Sequence, residues 1–149
     1  MKNEYPHFKP PQDLGKKLDT MRSGSHTKYN NNYHVVWIPK YRRAVLGNPK
    51  IKEILKEILE GQCDDKGWKI FALEIMPDHV HLVILANPQL SPNLLIGQIK
   101  GFSSRTLRQE FSELRSRLPT LWTRSYFVST HGHVSDKSIE RYIADQKGI

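Results

Sequence analysis

Two histidines stand at the start of an apolar run, in MPDHVHLVILA at residues 76–86, and are the residues best suited to chemistry in this chain. Side chains alternate along a β-strand, so His79 and His81 are expected on one face and Val80 on the other. Two adjacent imidazoles can bind a divalent cation. The alternative is a pair of half-exposed strand histidines without a ligand, and the spacing alone leaves both interpretations open.

Glu74 extends this patch if the preceding segment is a strand paired with the histidine strand. A two-residue turn after Met76 would pair Met76 with His79, and Glu74 with His81. Directly opposed residues of an antiparallel pair lie about 4.5–5.5 Å apart at Cβ. The sequence therefore predicts a site for Mg²⁺, Mn²⁺ or another divalent ion, with Glu74 as a third ligand or as a residue that orients a ligand. A slip of one residue would move Glu74 to the opposite face.

A second histidine pair has the same spacing, in HGH at residues 131–133. A glycine separates these histidines, and no apolar run follows them. We therefore predict a turn there and assign the metal site to the first pair, which has a strand to hold it.

The segment SIERYIADQ at residues 138–146 contains a candidate nucleophile. Tyr142 and Gln146 are four residues apart, so on a helix both project from one face. A tyrosine hydroxyl can attack phosphorus when a divalent ion spreads the charge that grows on the phosphate, and the Gln146 oxygen could complete the ligands of that ion. The alternative is a packed helix residue with a hydrated hydroxyl. Tyr126 is a rival nucleophile, but packing in a strand explains it.

The chain carries a formal charge of +8, from 23 Lys and Arg against 15 Asp and Glu, which favours a polyanionic partner such as nucleic acid. Basic residues with Tyr41 among them follow the first strand, and more lie on the second long helix, where a solvated helix face is the alternative. The candidates for DNA binding are Lys40, Arg42, Arg43, Lys100, Arg105 and Arg108, with Arg115 on the same helix sector as Lys100 and Arg108.

The pattern of apolar residues and turn residues predicts strands and helices in the order β-α-β-β-α-β-α. The predicted strands cover residues 33–38, 68–76, 79–86 and 125–130. The predicted helices run from the Asn48 cap to Gly67, from about Pro92 to about Leu118, and, after the Ser135 cap, over residues 136–146. This order predicts an α+β, ferredoxin-like fold, a split βαβ antiparallel sheet with helices on one face and an extra C-terminal helix that carries the tyrosine.

Residues 1–32 are polar and rich in Pro, Gly, Ser and Asn, which predicts a flexible N-terminal arm before one domain at residues 33–149. No apolar run approaches the length of a membrane helix, and the N-terminus lacks the apolar segment of a signal peptide. The lone Cys63 excludes an internal disulfide. We therefore expect a cytoplasmic protein without membrane contact.

The chain resembles the small single-tyrosine HUH transposases of the TnpA type, from insertion sequences that move as single-stranded DNA. Matching stretches occur in order over residues 33–147, and MPDHVHL followed by a downstream YIxxQ is a specific combination. The stretches are YHVVWIPKYRRAVL, EIMPDHVHLVI, the segment from Lys100 to Arg105, LWTRSYFVST and SIERYIADQ.

The resemblance implies roles for these residues. His79, His81 and Gln146 would hold Mg²⁺ or Mn²⁺, and Tyr142 would attack a DNA phosphate to give a 5′-phosphotyrosine and a free 3′-hydroxyl. It implies single-stranded DNA with hairpins at the element ends as substrate, a location at the nucleoid, and a homodimer in which the tyrosine helix of one subunit can serve the other. The alternatives are a repeat-associated or other HUH endonuclease, and a non-catalytic module that binds single-stranded DNA.

Overall fold

The computed structural model describes residues 31–86, 90–130 and 136–145. Its strands are β1 (Asn31–Trp37), β2 (Lys69–Met76), β3 (His79–Ala86) and β4 (Phe127–Ser129). Its α-helices are α1 (Pro49–Lys66), α2 (Pro92–Glu110), α3 (Ser112–Arg117) and α4 (Asp136–Asp145), and short 3₁₀ turns cover Lys40–Arg42 and Val45–Gly47. The predicted arm lies outside the described residues apart from its last two positions, which begin β1.

The four strands form one antiparallel sheet in the order β2-β3-β1-β4. Strand β3 lies between β1 and β2, which is the split βαβ arrangement, so the predicted ferredoxin-like α+β fold is confirmed. The predicted register is also confirmed, because Met76 pairs with His79, Ile75 with Val80, and Glu74 with His81.

Helix α1 has the ends that its sequence predicts. The Asn48 side chain accepts hydrogen bonds from the backbone N–H groups of Lys50 and Ile51, at 2.9 and 3.4 Å. Gly67 ends the helix with φ of 73°, a left-handed conformation that glycine adopts at little cost. The buried stripe of this helix covers one face of the sheet.

The second long helix is not continuous, and the prediction of one helix from Pro92 to Leu118 is wrong in this respect. Phe111 adopts an extended backbone with φ of −117° and ψ of 99°, which separates α2 from α3. Its side chain is half-buried against the core, and Leu114 and Leu118 are buried after the break. The helical spacing of the apolar residues survives this interruption, so periodicity alone could not reveal it.

The two faces of the sheet are covered by different elements. On one face, Val80, Leu82 and Ile84 of β3 belong to a large apolar core that includes the buried stripes of α1 and α2. On the other face, Val36 and Ile38 pack with Ile143 of α4. The histidines of β3 lie on this second face. None of the helices within the described ranges is long and apolar enough to cross a membrane.

Candidate active site

Strand β3 presents both predicted histidines on the face that α4 packs against. His79 is 2% exposed and His81 is 1% exposed, so they are buried more deeply than surface residues of an open sheet would be. Strand pairing fixes the backbone of both residues, because His81 lies between Val36 of β1 and Glu74 of β2, and His79 pairs with Met76 of β2. The imidazoles therefore have a rigid platform.

Asp78 orients the first histidine. Its Oδ1 lies 2.9 Å from Nδ1 of His79, and the contact with His79 is the main cause that holds the pKa of Asp78 below its usual value, with a smaller contribution from Arg42. The turn that contains Asp78 is held by a residue from an earlier segment, because the N–H of Leu46 donates to the Pro77 carbonyl at 3.1 Å. A ring whose Nδ1 donates to a carboxylate directs its Nε2 towards a ligand.

The second histidine has an imidazole neighbour that the sequence analysis missed. The ring centroids of His34 and His81 are 5.8 Å apart. Burial lowers the pKa of His81 to about 3, and His34 and His79 add to the effect. The sequence did contain a signal for this contact. His34 and Val36 are two residues apart in β1 and therefore share one face of the sheet, and the split βαβ order pairs β1 with β3.

Glu74 lies opposite His81 in the backbone register, and its side chain is half-buried. Within the described ranges, no three His, Cys, Asp or Glu side chains gather closely enough to hold a metal ion. The role of Glu74 as a ligand stays a prediction. Gln146 and the pair His131 and His133 lie outside the described residues, so their predicted roles cannot be compared with the structure.

Helix α4 carries Tyr142 to the same face of the sheet. The Tyr142 ring packs against Phe127 of β4 with a centroid distance of 6.1 Å, and its hydroxyl lies 3.0 Å from Oγ of Ser125. Burial raises the pKa of Tyr142, and the hydrogen bond with Ser125 acts in the opposite direction. Its phenol is therefore protonated at neutral pH and has a defined partner.

The backbone register relates the tyrosine to the histidines. Val36 pairs with Phe127 on one side and with His81 on the other. Phe127, Val36 and His81 thus form a row across three strands, which spans two strand spacings of about 4.8 Å each. Tyr142 contacts the outer end of this row, and the buried histidine forms its inner end.

Arg42 links the turn before β3 to the tyrosine helix. Its Nη1 donates to the Ile143 carbonyl at 3.4 Å, and its Nε lies 4.0 Å from Oδ2 of Asp78. Tyr41 and Arg42 have φ of 59° and 51°. Non-glycine residues rarely adopt this left-handed conformation, which costs about 1–3 kcal/mol at each position and is concentrated at functional sites. The strained turn places the Arg42 side chain between the turn before β3 and helix α4.

The other predicted DNA-binding residues fall into two groups, those with exposed side chains and those that contact other groups of the same chain. Arg43 and Arg105 are exposed, and Lys40 lies over the ring of Tyr41 at 5.4 Å. Arg108 donates to the Leu118 carbonyl at 3.4 Å. The Lys100 ammonium donates to the backbone carbonyls of Thr123 and Ser125, the latter at 3.1 Å. Arg115 also turns back, onto the carbonyls of Arg108 and Gln109, at 2.6 and 3.3 Å.

These residues fit a divalent metal ion in their chemistry. A neutral imidazole is the form that binds a cation, and the low pKa of His81 keeps it neutral at physiological pH. The bond between Asp78 and His79 supplies the orientation that metal-binding histidines usually receive from a carboxylate. A phenol on the same face adds an oxygen nucleophile, so the arrangement is suited to metal-assisted attack on a phosphate ester.

Comparison with known proteins identifies the family of the chain. The family described as "Transposase IS200 like" matches residues 27–146. The ISDra2 transposase TnpA of Deinococcus radiodurans is 33% identical over 128 residues, which cover 85% of this chain and 91% of that protein. The transposase for insertion sequence element IS200 of Salmonella typhimurium is 34% identical over 127 residues, covering 84% of this chain and 82% of the relative.

Solved structures are similar as well. A crystal structure of a Deinococcus radiodurans R1 protein described as a transposase aligns with a TM-score of 0.73 at 34% identity, covering 81% of this chain and 94% of the other. The REP-associated tyrosine transposase bound to a REP hairpin aligns with a TM-score of 0.51 at 13% identity, covering 76% and 62%, which is a likeness of fold. With the family match spanning most of its length, the chain belongs to the IS200-like family of transposases.

Proposed function

We propose that this transposase cleaves and rejoins single-stranded DNA at the ends of an insertion sequence, with Tyr142 as the nucleophile. The observation that carries the proposal is the packing of Tyr142 on the sheet face that holds His79 and His81. Membership in the transposase family supports strand transfer as the reaction class. The geometry supports the proposal as well, because the candidate nucleophile and the two candidate metal ligands lie on one face of the sheet.

The proposed reaction exchanges one phosphoester bond for another. The phenol of Tyr142 loses its proton as its oxygen bonds to phosphorus, and the bond between phosphorus and the 3′-oxygen breaks. The leaving oxygen takes up a proton and becomes a free 3′-hydroxyl, while the 5′-phosphate stays on the tyrosine. Attack by a 3′-hydroxyl on the phosphotyrosine reverses these changes and joins two strands without ATP.

His79, His81 and Gln146 would hold Mg²⁺ or Mn²⁺, with Glu74 as the further candidate. A bound divalent ion supplies Lewis-acid stabilisation of the charge on the phosphate and alignment of the scissile bond. Burial keeps the His81 ring neutral for this task, and Asp78 fixes the ring of His79. Arg42 contacts both the turn before His79 and the helix that carries Tyr142, and it thereby fixes their relative position.

The proposed substrate is single-stranded DNA with hairpins at the element ends. A protein of the same fold is bound to a REP hairpin, which supports a folded DNA strand as the class of ligand. Arg43 and Arg105 are exposed cations available to phosphates, and Lys40 stands beside the exposed ring of Tyr41, on which an unpaired base could stack. Binding should weaken steeply with added salt, because each neutralised phosphate releases counterions.

The proposed assembly is a homodimer, and a complementation experiment decides which subunit each tyrosine serves. Within one chain, α4 packs on its own sheet through Ile143. Mixed dimers of Tyr142→Phe and His81→Ala recover cleavage only if the tyrosine of one subunit serves the histidines of the other. No recovery in proven mixed dimers means that each tyrosine serves its own chain.

The experiment for the reaction itself is a covalent capture. The protein is incubated with Mg²⁺ and single-stranded DNA that carries the ends of its element, and the products are separated on a denaturing gel. We expect a metal-dependent protein–DNA adduct that Tyr142→Phe abolishes while hairpin binding persists. An adduct that persists in Tyr142→Phe removes this residue from the reaction.

A further inference from the structure

The histidine face, which is the face of the sheet that carries His79 and His81, holds a third buried imidazole that the proposed reaction does not use. His34 of β1 is 2% exposed, and it pairs with Val83, which lies two residues after His81 in β3. His34 is therefore a diagonal neighbour of His81 on one face, at a separation that aromatic side chains can span. The two ring centroids are 5.8 Å apart, and the ring planes are tilted by 52°.

The fold alone gives no reason for an imidazole at this position. The adjacent residues of β1, Tyr33 and Val35, belong to the main apolar core, and Val83 opposite His34 is fully buried. Burying a polar ring costs free energy of folding unless hydrogen bonds offset it, whereas an apolar side chain of similar shape carries no such cost. The contact with His81 offers a reason that concerns the site.

The two candidate metal ligands are held in different ways. Asp78 contacts Nδ1 of His79 at 2.9 Å and thereby fixes the rotation of that ring. The torsion that rotates an imidazole about its bond to Cβ has a broad distribution, so a neighbouring group must set it. For His81, the ring of His34 is in the place to do so.

We propose that His34 is a positioning residue for the metal site, and that its ring holds the imidazole of His81 at the rotation that turns a nitrogen towards a divalent cation. This inference rests on the proposed role of His81 as a metal ligand. His34 acts through His81 and is not a ligand itself. Its part at His81 corresponds to that of Asp78 at His79, with ring packing in place of a carboxylate.

The test measures binding of Co²⁺ to the DNA-free protein by absorption spectroscopy. Co²⁺ is accepted by imidazole and oxygen ligands, and its visible spectrum reports the geometry of those ligands. We expect His34→Ala to weaken Co²⁺ binding about tenfold, the loss that follows removal of a group that orients a metal-binding histidine, and to change the spectrum. His34→Phe should restore most of the affinity, because phenylalanine keeps a ring at this position and cannot bind a metal ion.

Asn32→Ala is the matched control. Asn32 lies on the same strand and the same face, is 1% exposed, and pairs with Leu85, four residues after His81. The variant therefore removes a buried polar side chain of the same face at a greater distance from the His81 ring. Thermal unfolding is measured for every variant, and Asn32→Ala should keep the Co²⁺ affinity and spectrum of the wild type even if its melting temperature falls.

A second readout needs neither metal nor DNA. The imidazole resonances of His34 and His81 are assigned by their loss in His34→Phe and His81→Ala. We expect a nuclear Overhauser effect between the two rings in the metal-free wild type, because the rings are in contact. The His81 resonances should shift in His34→Ala and stay in place in Asn32→Ala. Unshifted His81 resonances in His34→Ala would overturn the contact on which the proposal depends.

The outcomes separate this proposal from the proposed function. If His81→Ala abolishes Co²⁺ binding while His34→Ala binds Co²⁺ as the wild type does, the positioning role is overturned and the metal site stands. If His34→Phe binds as weakly as His34→Ala, or if Asn32→Ala loses as much affinity, the ring contact is not what positions His81, and the proposal is also overturned. If His81→Ala leaves Co²⁺ binding unchanged, the proposed metal site fails, and the role of His34 fails with it.

Discussion

Strand β3 is buried along its whole length, yet its two faces are packed with different chemistry. Val80, Leu82 and Ile84 meet apolar helix residues, which stabilise the fold through burial and close packing. His79 and His81 share the opposite face with His34, Asp78 and the tyrosine helix. Burying a polar group costs free energy of folding unless its hydrogen-bond partners are well placed. The histidine face therefore adds less to stability than it does to fixing the positions of its polar side chains. The comparison assigns stability to one face and chemistry to the other.

The largest effect on stability is expected from the helix-covered face. Leu82→Ala should lower the free energy of unfolding by about 2–5 kcal/mol, because it leaves a cavity in the main core. Leu85→Ala is a matched control on the same strand, since Leu85 is buried but belongs to the smaller cluster of the other face. Denaturant unfolding measures both changes. An equal or larger loss for Leu85→Ala would contradict the division between the faces.

The next effect concerns catalysis on the histidine face. His79→Ala or His81→Ala should slow single-turnover cleavage by about 100-fold, since the several kcal/mol that a bound metal ion contributes depends on its ligands. Binding of Mn²⁺, measured by calorimetry, should weaken in parallel. The control is His131→Ala with His133→Ala, which should change either quantity much less. Equal losses at both pairs would mean that the metal site was assigned to the wrong histidines.

A smaller effect is expected where Arg42 connects the two halves of the site. Arg42→Ala should slow adduct formation about fivefold, which corresponds to about 1 kcal/mol for a partly exposed set of charged contacts. Its neighbour Arg43 is exposed and offers a matched control. Arg43→Ala should weaken DNA binding and reduce its salt dependence while the rate at saturating DNA stays constant. If Arg42→Ala instead weakened DNA binding and left the rate at saturating DNA unchanged, Arg42 would be a phosphate contact.

The smallest effect is a pH dependence of stability that comes from Lys100. Its pKa is about 8 in the folded protein and near the ordinary 10.5 in the unfolded chain, so between these values the unfolded chain binds more protons. The free energy of unfolding should therefore rise with pH over this window, relative to Lys100→Met. The difference between the two proteins cancels the opposite contribution of Cys63, whose pKa burial raises to about 12. Parallel pH profiles would contradict the buried placement of the ammonium.

The sequence was sufficient for those parts of the site that depend on local periodicity. Alternation along a strand placed His79 and His81 on one face, and a two-residue turn placed Glu74 opposite His81, both confirmed by the register. The helix ends at Asn48 and Gly67 followed from capping chemistry. Each of these features depends on residues that are close together in the chain.

The parts that the sequence did not predict depend on contacts between distant segments. The bond between Ser125 and Tyr142 and the reach of Lys100 to the Thr123 turn have no local pattern, because they arise when α2, β4 and α4 meet. His34 entered the site through the pairing of β1 with β3. Charge counting identified Lys100 and Arg42 as cations but could not tell which carbonyl or carboxylate groups they would meet.

The central claim is that the oxygen of Tyr142 becomes bonded to DNA. The most direct measurement is mass spectrometry of the purified adduct after nuclease and trypsin digestion. The account predicts a nucleotide 5′-phosphate on the tryptic peptide that begins at Tyr142, directly after Arg141. A nucleotide on the peptide that contains Tyr126, or on any other residue, would contradict it.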